Sequence, residues 1–311
     1  MRAIGFRQFG GPEVLEVLEL PEREPGPGQV RVRVRAATVN PTDIGFRSGR
    51  QASLVANLQP PYIPGMELAG DVDAAGPGST WQPGDEVLAI VQPRRPEGGA
   101  MAEKVVIPSA SAARLPKGAS FEQAATLPMN GLTVRLALDL LGLKPGQTLA
   151  VTGAAGAVGG YAVQLGVAEG LRVIAVASPG DEALLKQFGA EAFVPRGEDA
   201  AQRIRQIVPG GVDGLVDAAV IGAPILPAIK DGGALAAVRA FEGESERGIQ
   251  IHQVRVTEYL ENQAALERLV RLVEQGKLTL RVSETFPPER AAEAHRKMEA
   301  GGIRGRLVIT F

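Results

Sequence analysis

The sequence contains no cysteine, and its 311 residues include only two histidines. Without cysteine the chain has no disulfide bond, no thiolate nucleophile, no iron–sulfur cluster and no cysteine-based zinc site. The two histidines, His252 and His295, lie 43 positions apart and offer no metal-ligand spacing. The opening residues, MRAIGFRQFGG, lack the apolar stretch of a signal peptide. Together these features predict a cytoplasmic location.

Long apolar runs and an excess of basic residues are missing as well. No segment approaches the roughly 18–20 consecutive apolar residues of a membrane helix, so no membrane partner is predicted. The formal net charge is −2, whereas nucleic-acid binders normally show a basic face, so no nucleic-acid partner is predicted. Because 311 residues exceed the roughly 100–200 of a typical domain, we expect two domains.

The first third of the chain has the pattern of β structure broken by Gly/Pro turns. Val30, Val32 and Val34 alternate with arginines, a period of two that directs the valines to a core and the arginines to water. The turns recur at residues 25–28, 60–61, 64–65, 76–78 and 83–85. This spacing favours a barrel-like antiparallel domain. A flexible linker is the alternative, but intervening segments such as DEVLAIV and AEKVVI are too apolar for one.

The pattern changes near Ser120. Apolar residues recur at helical spacing over 121–141, and strands and helices then alternate. Strands are predicted at 148–152, 172–177, 192–194, 212–218 and 234–238, and helices at 158–169, 181–188 and 199–208. Such alternation indicates a doubly wound parallel sheet. Two further helices, at 262–275 and 288–300, precede a strand-like tail at 305–311.

A glycine-rich loop, GAAGAVG, follows the strand at 148–152 and precedes a helix. Gly153 suits a tight turn, and Gly156 lacks the Cβ that would keep the backbone away from a pyrophosphate. Gly159 permits close packing of the helix, whose N-terminus offers free N–H groups and a positive dipole end to phosphates. The alternative is a structural strand–helix turn. The position between strand and helix within a βαβ run favours dinucleotide binding.

The end of the next strand bears on the choice of cofactor. An acidic side chain there binds the ribose hydroxyls of NAD, and here none is present. Ser178 stands at this position, with Lys186 and Arg196 as more distant candidates for a phosphate contact. These residues favour NADPH, with NADH as the less favoured cofactor. The alternative role of Ser178 is to cap the helix that begins near Asp181.

Seven segments, taken in order, carry a resemblance to a known family: MRAIGFRQFGGPEVLEV, PGPGQVRVRVRAATVNPTD, PYIPGMELAG, PGDEV, NGLTV, GAAGAVG and EAHRKMEAGGIRGRLVI. The chain resembles the zinc-independent quinone oxidoreductase branch of the medium-chain dehydrogenase/reductase superfamily over nearly its whole length. The resemblance implies an α/β fold in which a Rossmann domain, residues 121–256, is inserted in a GroES-like, mostly antiparallel β catalytic domain, residues 1–120 and 257–311. It also implies a homodimer formed by edge strands near 234–254.

The resemblance implies site residues one by one. Asn40 and Met66 stand where zinc-dependent relatives carry a cysteine and a histidine ligand, which implies a metal-free enzyme. Asn40 matches the asparagine that faces the nicotinamide and substrate in quinone reductases, and its alternative role is that of a turn residue before a proline. Glu67 is expected to be structural. The implied cofactor-binding residues are Asn130, Thr133, Gly153, Ala154, Ala155, Gly156, Ala157, Val158, Gly159 and Ser178.

The chain departs from the resemblance where tyrosines often surround the quinone. Gly45, Arg50 and Gln51 occupy that region, so an aromatic floor for a flat acceptor is not predicted. The function implied is metal-independent hydride transfer from NADPH to a quinone or related conjugated carbonyl. The alternatives are an alkenal or enone double-bond reductase and a non-catalytic NADPH-binding sensor or structural protein. We expect His295 to be solvated on a polar helix and His252 to lie near an interface or cleft.

Overall fold

A computed structural model describes residues 1–311 and places 15 strands and eight helices in two units. The first unit comprises Met1–Met129, Thr257–Glu274 and Leu280–Phe311, and the second comprises Asn130–Val256 and Gln275–Thr279. Each unit has its own hydrophobic core. No helix in the structure has the length and apolar character needed to cross a membrane.

The strands, in chain order, are β1 (Arg2–Gly5), β2 (Glu16–Glu19), β3 (Gln29–Thr38), β4 (Glu67–Ala75), β5 (Glu86–Ile90), β6 (Lys104–Pro108), β7 (Ala112–Arg114), β8 (Thr148–Thr152), β9 (Arg172–Ala177), β10 (Ala192–Pro195), β11 (Val212–Asp217), β12 (Ile229–Ala237), β13 (Gln250–Gln253), β14 (Val282–Phe286) and β15 (Arg306–Thr310). The α-helices are α1 (Pro41–Arg47), α2 (Phe121–Ala124), α3 (Pro128–Leu141), α4 (Ala157–Ala168), α5 (Glu182–Gln187), α6 (Ala200–Ile207), α7 (Gln263–Glu274) and α8 (Ala291–Ala300).

The first unit is built on a seven-stranded sheet of order β14-β15-β3-β4-β5-β7, in which β6 also pairs with β3. Every pair in this sheet is antiparallel except β14 with β15. The strands β1 and β2 form a separate antiparallel pair. This is the mostly antiparallel architecture that the Gly/Pro turns predict.

Strand β3 organises this sheet because both of its edges are used. One edge pairs with β4, and the other pairs with β6 over residues 29–33 and with β15 over residues 36–38. The alternating valines of β3 are buried in the core, as predicted. Arg31 differs from the expectation of a solvated side chain, because it is largely covered and lies 2.7 Å from Asp73. The crowded end of β3 places Thr38 between β4 and β15.

The second unit contains a six-stranded parallel sheet of order β10-β9-β8-β11-β12-β13. Its chain order reverses between β8 and β11, which is the switch point of a doubly wound Rossmann sheet. The strands β8, β9 and β11 are buried along most of their length, as expected for strands covered on both faces. The predicted α/β fold class is confirmed. Ligands of such sheets bind at the carboxyl ends of the strands beside the switch point.

The helical spacing over 121–141 corresponds to two helices, α2 and α3, rather than one. Pro128 starts the second helix, because proline lacks an N–H group and is tolerated in the first turn but not in a helix interior. Ser120 caps α2 by accepting a hydrogen bond from the backbone of Gln123 at 3.2 Å.

His295 on α8 is fully buried, which corrects the expectation that it is solvated. A stripe at positions 291, 294, 295 and 298 turns toward the core, and this spacing is one face of a helix. Neither ring nitrogen of His295 has a hydrogen-bond partner in the protein, and the buried guanidinium of Arg47 lies near enough to act on it. Burial, together with the charge of Arg47, lowers the pKa of His295 to about 3.

The neutral state of His295 makes stability depend on pH. In the unfolded chain the pKa of His295 is about 6.5. The contribution of the neutral imidazole to the free energy of unfolding is therefore complete above about pH 6.5 and is lost as pH falls toward 3. We predict that wild type loses stability relative to His295→Gln by up to about 1.4 kcal/mol per pH unit in this window. Urea unfolding of both proteins at several pH values measures the difference between their free energies of unfolding. The other titratable groups are the same in both proteins, so their contributions cancel in this difference. A difference that stays constant from pH 7 to 4 contradicts the prediction.

Candidate active site

Asn40 lies at the point where β3 gives way to α1. It is the residue before the helix, and Pro41 at the first helical position fixes the direction of entry. The carboxyl group of Asp43 accepts a hydrogen bond from the Asn40 backbone N–H at 2.8 Å and another from the Gly65 N–H at 2.9 Å. The buried carboxyl group of Asp43 therefore connects the start of α1, at Asn40, with the loop before β4, at Gly65.

The side chain of Asn40 belongs to a buried polar network with Thr38, Glu67 and Arg306. One guanidinium nitrogen of Arg306, Nη2, donates to Thr38 Oγ1 at 2.7 Å, Asn40 Oδ1 at 2.7 Å and Glu67 Oε1 at 2.6 Å. Asn40 Nδ2 donates to Thr38 Oγ1 and to Glu67 Oε1, each at 3.2 Å. The Thr38 hydroxyl also donates to Glu67. Asn40 is 1 % exposed and Glu67 is fully buried.

Glu67 is the common acceptor of this network. Its Oε1 receives the three donors just described, and its Oε2 accepts from the Met129 N–H in the first turn of α3 at 2.7 Å. Both oxygens of this buried carboxylate are therefore satisfied, and its charge is paired with Arg306. The expectation that Glu67 is structural agrees with this arrangement.

Asp43 lies beside this network, and Arg306 within it has one atom without a partner. Burial raises the pKa of Asp43 to about 7, although its two backbone N–H donors and Arg306 act in the opposite direction. The Nη1 atom of Arg306 is buried and has no hydrogen-bond partner in the protein. Arg306, Thr38 and Asp43 were not identified from the sequence. The one available signal was a lone arginine at the head of an otherwise apolar strand, RLVIT.

The positions that correspond to metal ligands in zinc-dependent relatives carry poor donors for zinc. Asn40 is engaged through both polar atoms of its side chain, and Met66 accepts a hydrogen bond from the Thr42 hydroxyl at 3.2 Å. The structure contains no group of three or more His, Asp and Glu side chains arranged to hold a metal ion. A guanidinium cation, that of Arg306, already stands against Asn40 and Glu67.

The glycine loop of the second unit joins β8 to α4 in the predicted way. Gly153 has a φ of +59°, the left-handed region that favours glycine, and a Cβ there would lie 3.1 Å from the Ala219 nitrogen. A Cβ on Gly159 would lie 2.2 Å from the Gly153 oxygen, so only glycine permits this contact between helix and turn. Ala154 and Ala155 are buried between these glycines.

The N-terminus of α4 has free backbone donors. Gly156 precedes the helix, and the first helical bond runs from Gly160 N to Gly156 O at 3.0 Å. The N–H groups of Ala157, Val158 and Gly159 therefore have no backbone acceptor. They lie at the carboxyl end of β8, beside the switch point of the sheet, and the helix dipole adds a partial positive charge. These residues fit the pyrophosphate of a dinucleotide.

Ser178 follows β9 and starts a short 3-10 helix without forming a side-chain cap. Of the two basic candidates near it, Lys186 is paired with Glu182 at 2.6 Å. Arg196 follows β10, its backbone N–H donates to the Ala177 oxygen at 2.7 Å, and its exposed side chain has no ion pair. The structure thus brings Arg196, and not Lys186, to the end of β9 with its charge free.

Two predicted cofactor residues lie on α3. Asn130 is 4 % exposed, yet its side-chain amide has no hydrogen-bond partner in the protein. Thr133, one turn further along the helix, is also buried. The amide atoms of Asn130 are not among the buried, unpartnered side-chain atoms, so solvent reaches them and the amide is available for a ligand contact. His252, by contrast, lies on β13 at the edge of the parallel sheet.

Two family models match separate parts of the chain. Residues 26–117 match the alcohol dehydrogenase GroES-like domain family, and residues 188–309 match the zinc-binding dehydrogenase family. A quinone oxidoreductase of Pseudomonas aeruginosa is 31 % identical, and the match covers 99 % of both chains.

Solved structures are similar over the full length. One, described as an NAD-dependent alcohol dehydrogenase, is 33 % identical with a TM-score of 0.88, and the match covers 100 % of both chains. A mycobacterial protein solved in complex with NADPH is 28 % identical with a TM-score of 0.87, again over 100 % of both chains. The chain belongs to the quinone oxidoreductase branch of the medium-chain dehydrogenase/reductase superfamily and is an oxidoreductase.

Proposed function

We propose that this oxidoreductase uses NADPH to reduce a quinone or a related conjugated carbonyl without a metal ion. The observation that carries the proposal is the donor set around Asn40. It consists of an amide, a thioether, two carboxyl groups and a guanidinium that already supplies the positive charge. Such a set suits hydrogen bonding to an acceptor oxygen rather than coordination of zinc.

The choice of NADPH rests on residues of the second unit. The strand β9 ends without a carboxylate, and the free guanidinium of Arg196 beside Ser178 can meet a 2′-phosphate. The similar mycobacterial protein in complex with NADPH supports this choice. The similar protein described as NAD-dependent makes NADH the alternative to test.

The fit of a dinucleotide defines what this chain's residues do. The amides of Ala157, Val158 and Gly159 bind the pyrophosphate, and Asn130 fixes the nicotinamide end with its free amide. The bound cofactor supplies the hydride. A quinone or enone accepts hydride without a Lewis acid because the resulting oxyanion is delocalised. Asn40 Nδ2, whose two hydrogen bonds are both long at 3.2 Å, is the proposed donor to this oxyanion.

Neither histidine nor Tyr62 is an evident general acid. His295 is buried and neutral, and His252 lies at the edge of the parallel sheet. Tyr62 packs among Phe6, Phe9 and Phe46. Solvent therefore delivers the proton after hydride transfer in this proposal.

Steady-state kinetics test the proposal directly. In excess EDTA we expect NADPH oxidation with several quinones, a lower kcat/KM with NADH, and a lower kcat/KM with enones than with quinones. Gly156→Asp should fold but lose cofactor binding, because the new carboxylate would stand at a phosphate site. NADPH binding without turnover would support the non-catalytic alternative. A higher kcat/KM with enones would identify a double-bond reductase.

Asn40→Ala separates a role at the acceptor from a role in the network. We expect about 100-fold loss in kcat/KM, comparable to removal of one oxyanion donor. Thr38→Val is the matched control, because Thr38, like Asn40, forms buried hydrogen bonds with Glu67 and Arg306. If both variants lose activity and stability equally, Asn40 acts only through packing. If His252→Asn loses a thousandfold while Asn40→Ala is nearly normal, the mechanism is wrong.

We also propose a homodimer in the cytoplasm. Strand β13 is the edge of the parallel sheet, with its outer backbone groups unpaired within the chain. An edge of this kind can pair with its copy in a second chain. Light scattering at micromolar concentration should give twice the monomer mass, and a monomer throughout that range would contradict the proposal.

A further inference from the structure

Arg94 lies in the connection that leaves β5 beside the Asn40 network. The end of β5 pairs with Glu67, and the Val91 N–H donates to the Met66 oxygen at 2.7 Å. Three residues later, Arg94 is half-buried. The chain that leaves β5 beside Glu67 and Met66 therefore reaches this arginine within three residues.

A glutamine orients the Arg94 side chain. Arg94 Nη1 donates to Gln51 Oε1 at 2.8 Å. The other end of the same amide lies over α1, because a Cβ on Gly45 would be 3.0 Å from Gln51 Nε2. Gly45 is one turn along the helix that begins after Asn40. Gln51 thus connects the arginine to the helix that carries the proposed oxyanion donor.

The positive charge of Arg94 has no carboxylate partner within 4.0 Å. Burial lowers the pKa of Arg94, and the charge of Asp43 acts in the opposite direction. The two oxygens of Asp43, however, are held by backbone N–H groups of Asn40 and Gly65. Arginine stays protonated at all ordinary pH values, so a half-buried cation is left without a counter-ion.

Two nitrogens of Arg94 remain available. Nε and Nη2 have no hydrogen-bond partner in the protein, and neither is among the buried, unpartnered side-chain atoms, so both are reached by solvent. These two atoms form one edge of the guanidinium plane, which is the edge that binds a carboxylate with two parallel hydrogen bonds. The neighbouring Arg95 differs, because its Nε and Nη2 bind the carbonyl oxygens of Gly98 and Val106.

We infer that Arg94 is a specificity residue for an acceptor that carries a carboxylate group. This inference rests on the proposed function, in which the acceptor oxygen meets Asn40. The carboxylate of the acceptor binds the free edge of Arg94, and Gln51 holds that edge in place. The substrate class is therefore an anionic quinone or enone rather than a neutral one.

Matched acceptors test the inference. The acceptors are para-benzoquinone with a propanoate side chain and its methyl ester, which differ in charge but have the same reacting ring. We expect wild type to prefer the carboxylate by about 10–100-fold in kcat/KM, the value of a charge-assisted hydrogen bond. Arg94→Gln should reduce this ratio to near one, and Arg94→Lys should keep part of it. Arg33→Gln, which removes an exposed arginine of β3, should keep the whole ratio.

A binding measurement separates this inference from the proposed reaction. Calorimetric titration compares phenylpropanoate with its neutral analogue phenylpropanamide in wild type and Arg94→Gln. Tighter binding of the anion by wild type alone supports the site, even if neither quinone is reduced and the proposed function fails. If both quinones are reduced with equal kcat/KM, or if Arg94→Gln keeps the preference for the anion, the inference is overturned.

Discussion

The buried ion pair between Glu67 and Arg306 is the interaction on which the first unit depends. It joins the first residue of β4 to the first residue of β15, 239 positions later in the chain. Burying two charges costs free energy that mutual attraction alone often fails to offset. Here both oxygens of Glu67 are satisfied, with Thr38, Asn40 and the Met129 amide as further donors, whereas Nη1 of Arg306 remains buried without a partner.

In the proposed reaction this pair also sets the orientation of Asn40. Arg306 holds the carbonyl oxygen of Asn40, so the amide nitrogen is presented as a donor in a fixed orientation. The same cation neutralises the charge of Glu67. Arg94, which Gln51 orients, adds a second cation that has no ion pair within the protein. The two arginines therefore have different proposed roles. Arg306 positions Asn40, and Arg94 binds the carboxylate of the acceptor.

The sequence predicted those elements whose signal is local. The bounds of β8 and β9 agree with the apolar strand patterns, and Gly153 and Gly159 occupy positions where a Cβ is excluded by φ or by contact. Strand β12 begins earlier than predicted. The prediction started too late because the strand contains a glycine pair, which has the composition of a turn. The burial of His295 was missed although its helical stripe was visible. The Arg306 network was missed because it depends on pairing between distant strands, which no local pattern encodes.

In the proposed mechanism the Glu67–Arg306 pair orients Asn40 for reaction and does not only stabilise the fold. The most direct test compares Arg306→Met with the double variant Glu67→Gln, Arg306→Met. The single variant leaves a buried charge unpaired and should lose about 3–5 kcal/mol of unfolding free energy. The double variant should recover most of that stability while its kcat/KM stays far below wild type. A double variant with wild-type kcat/KM would contradict the claim.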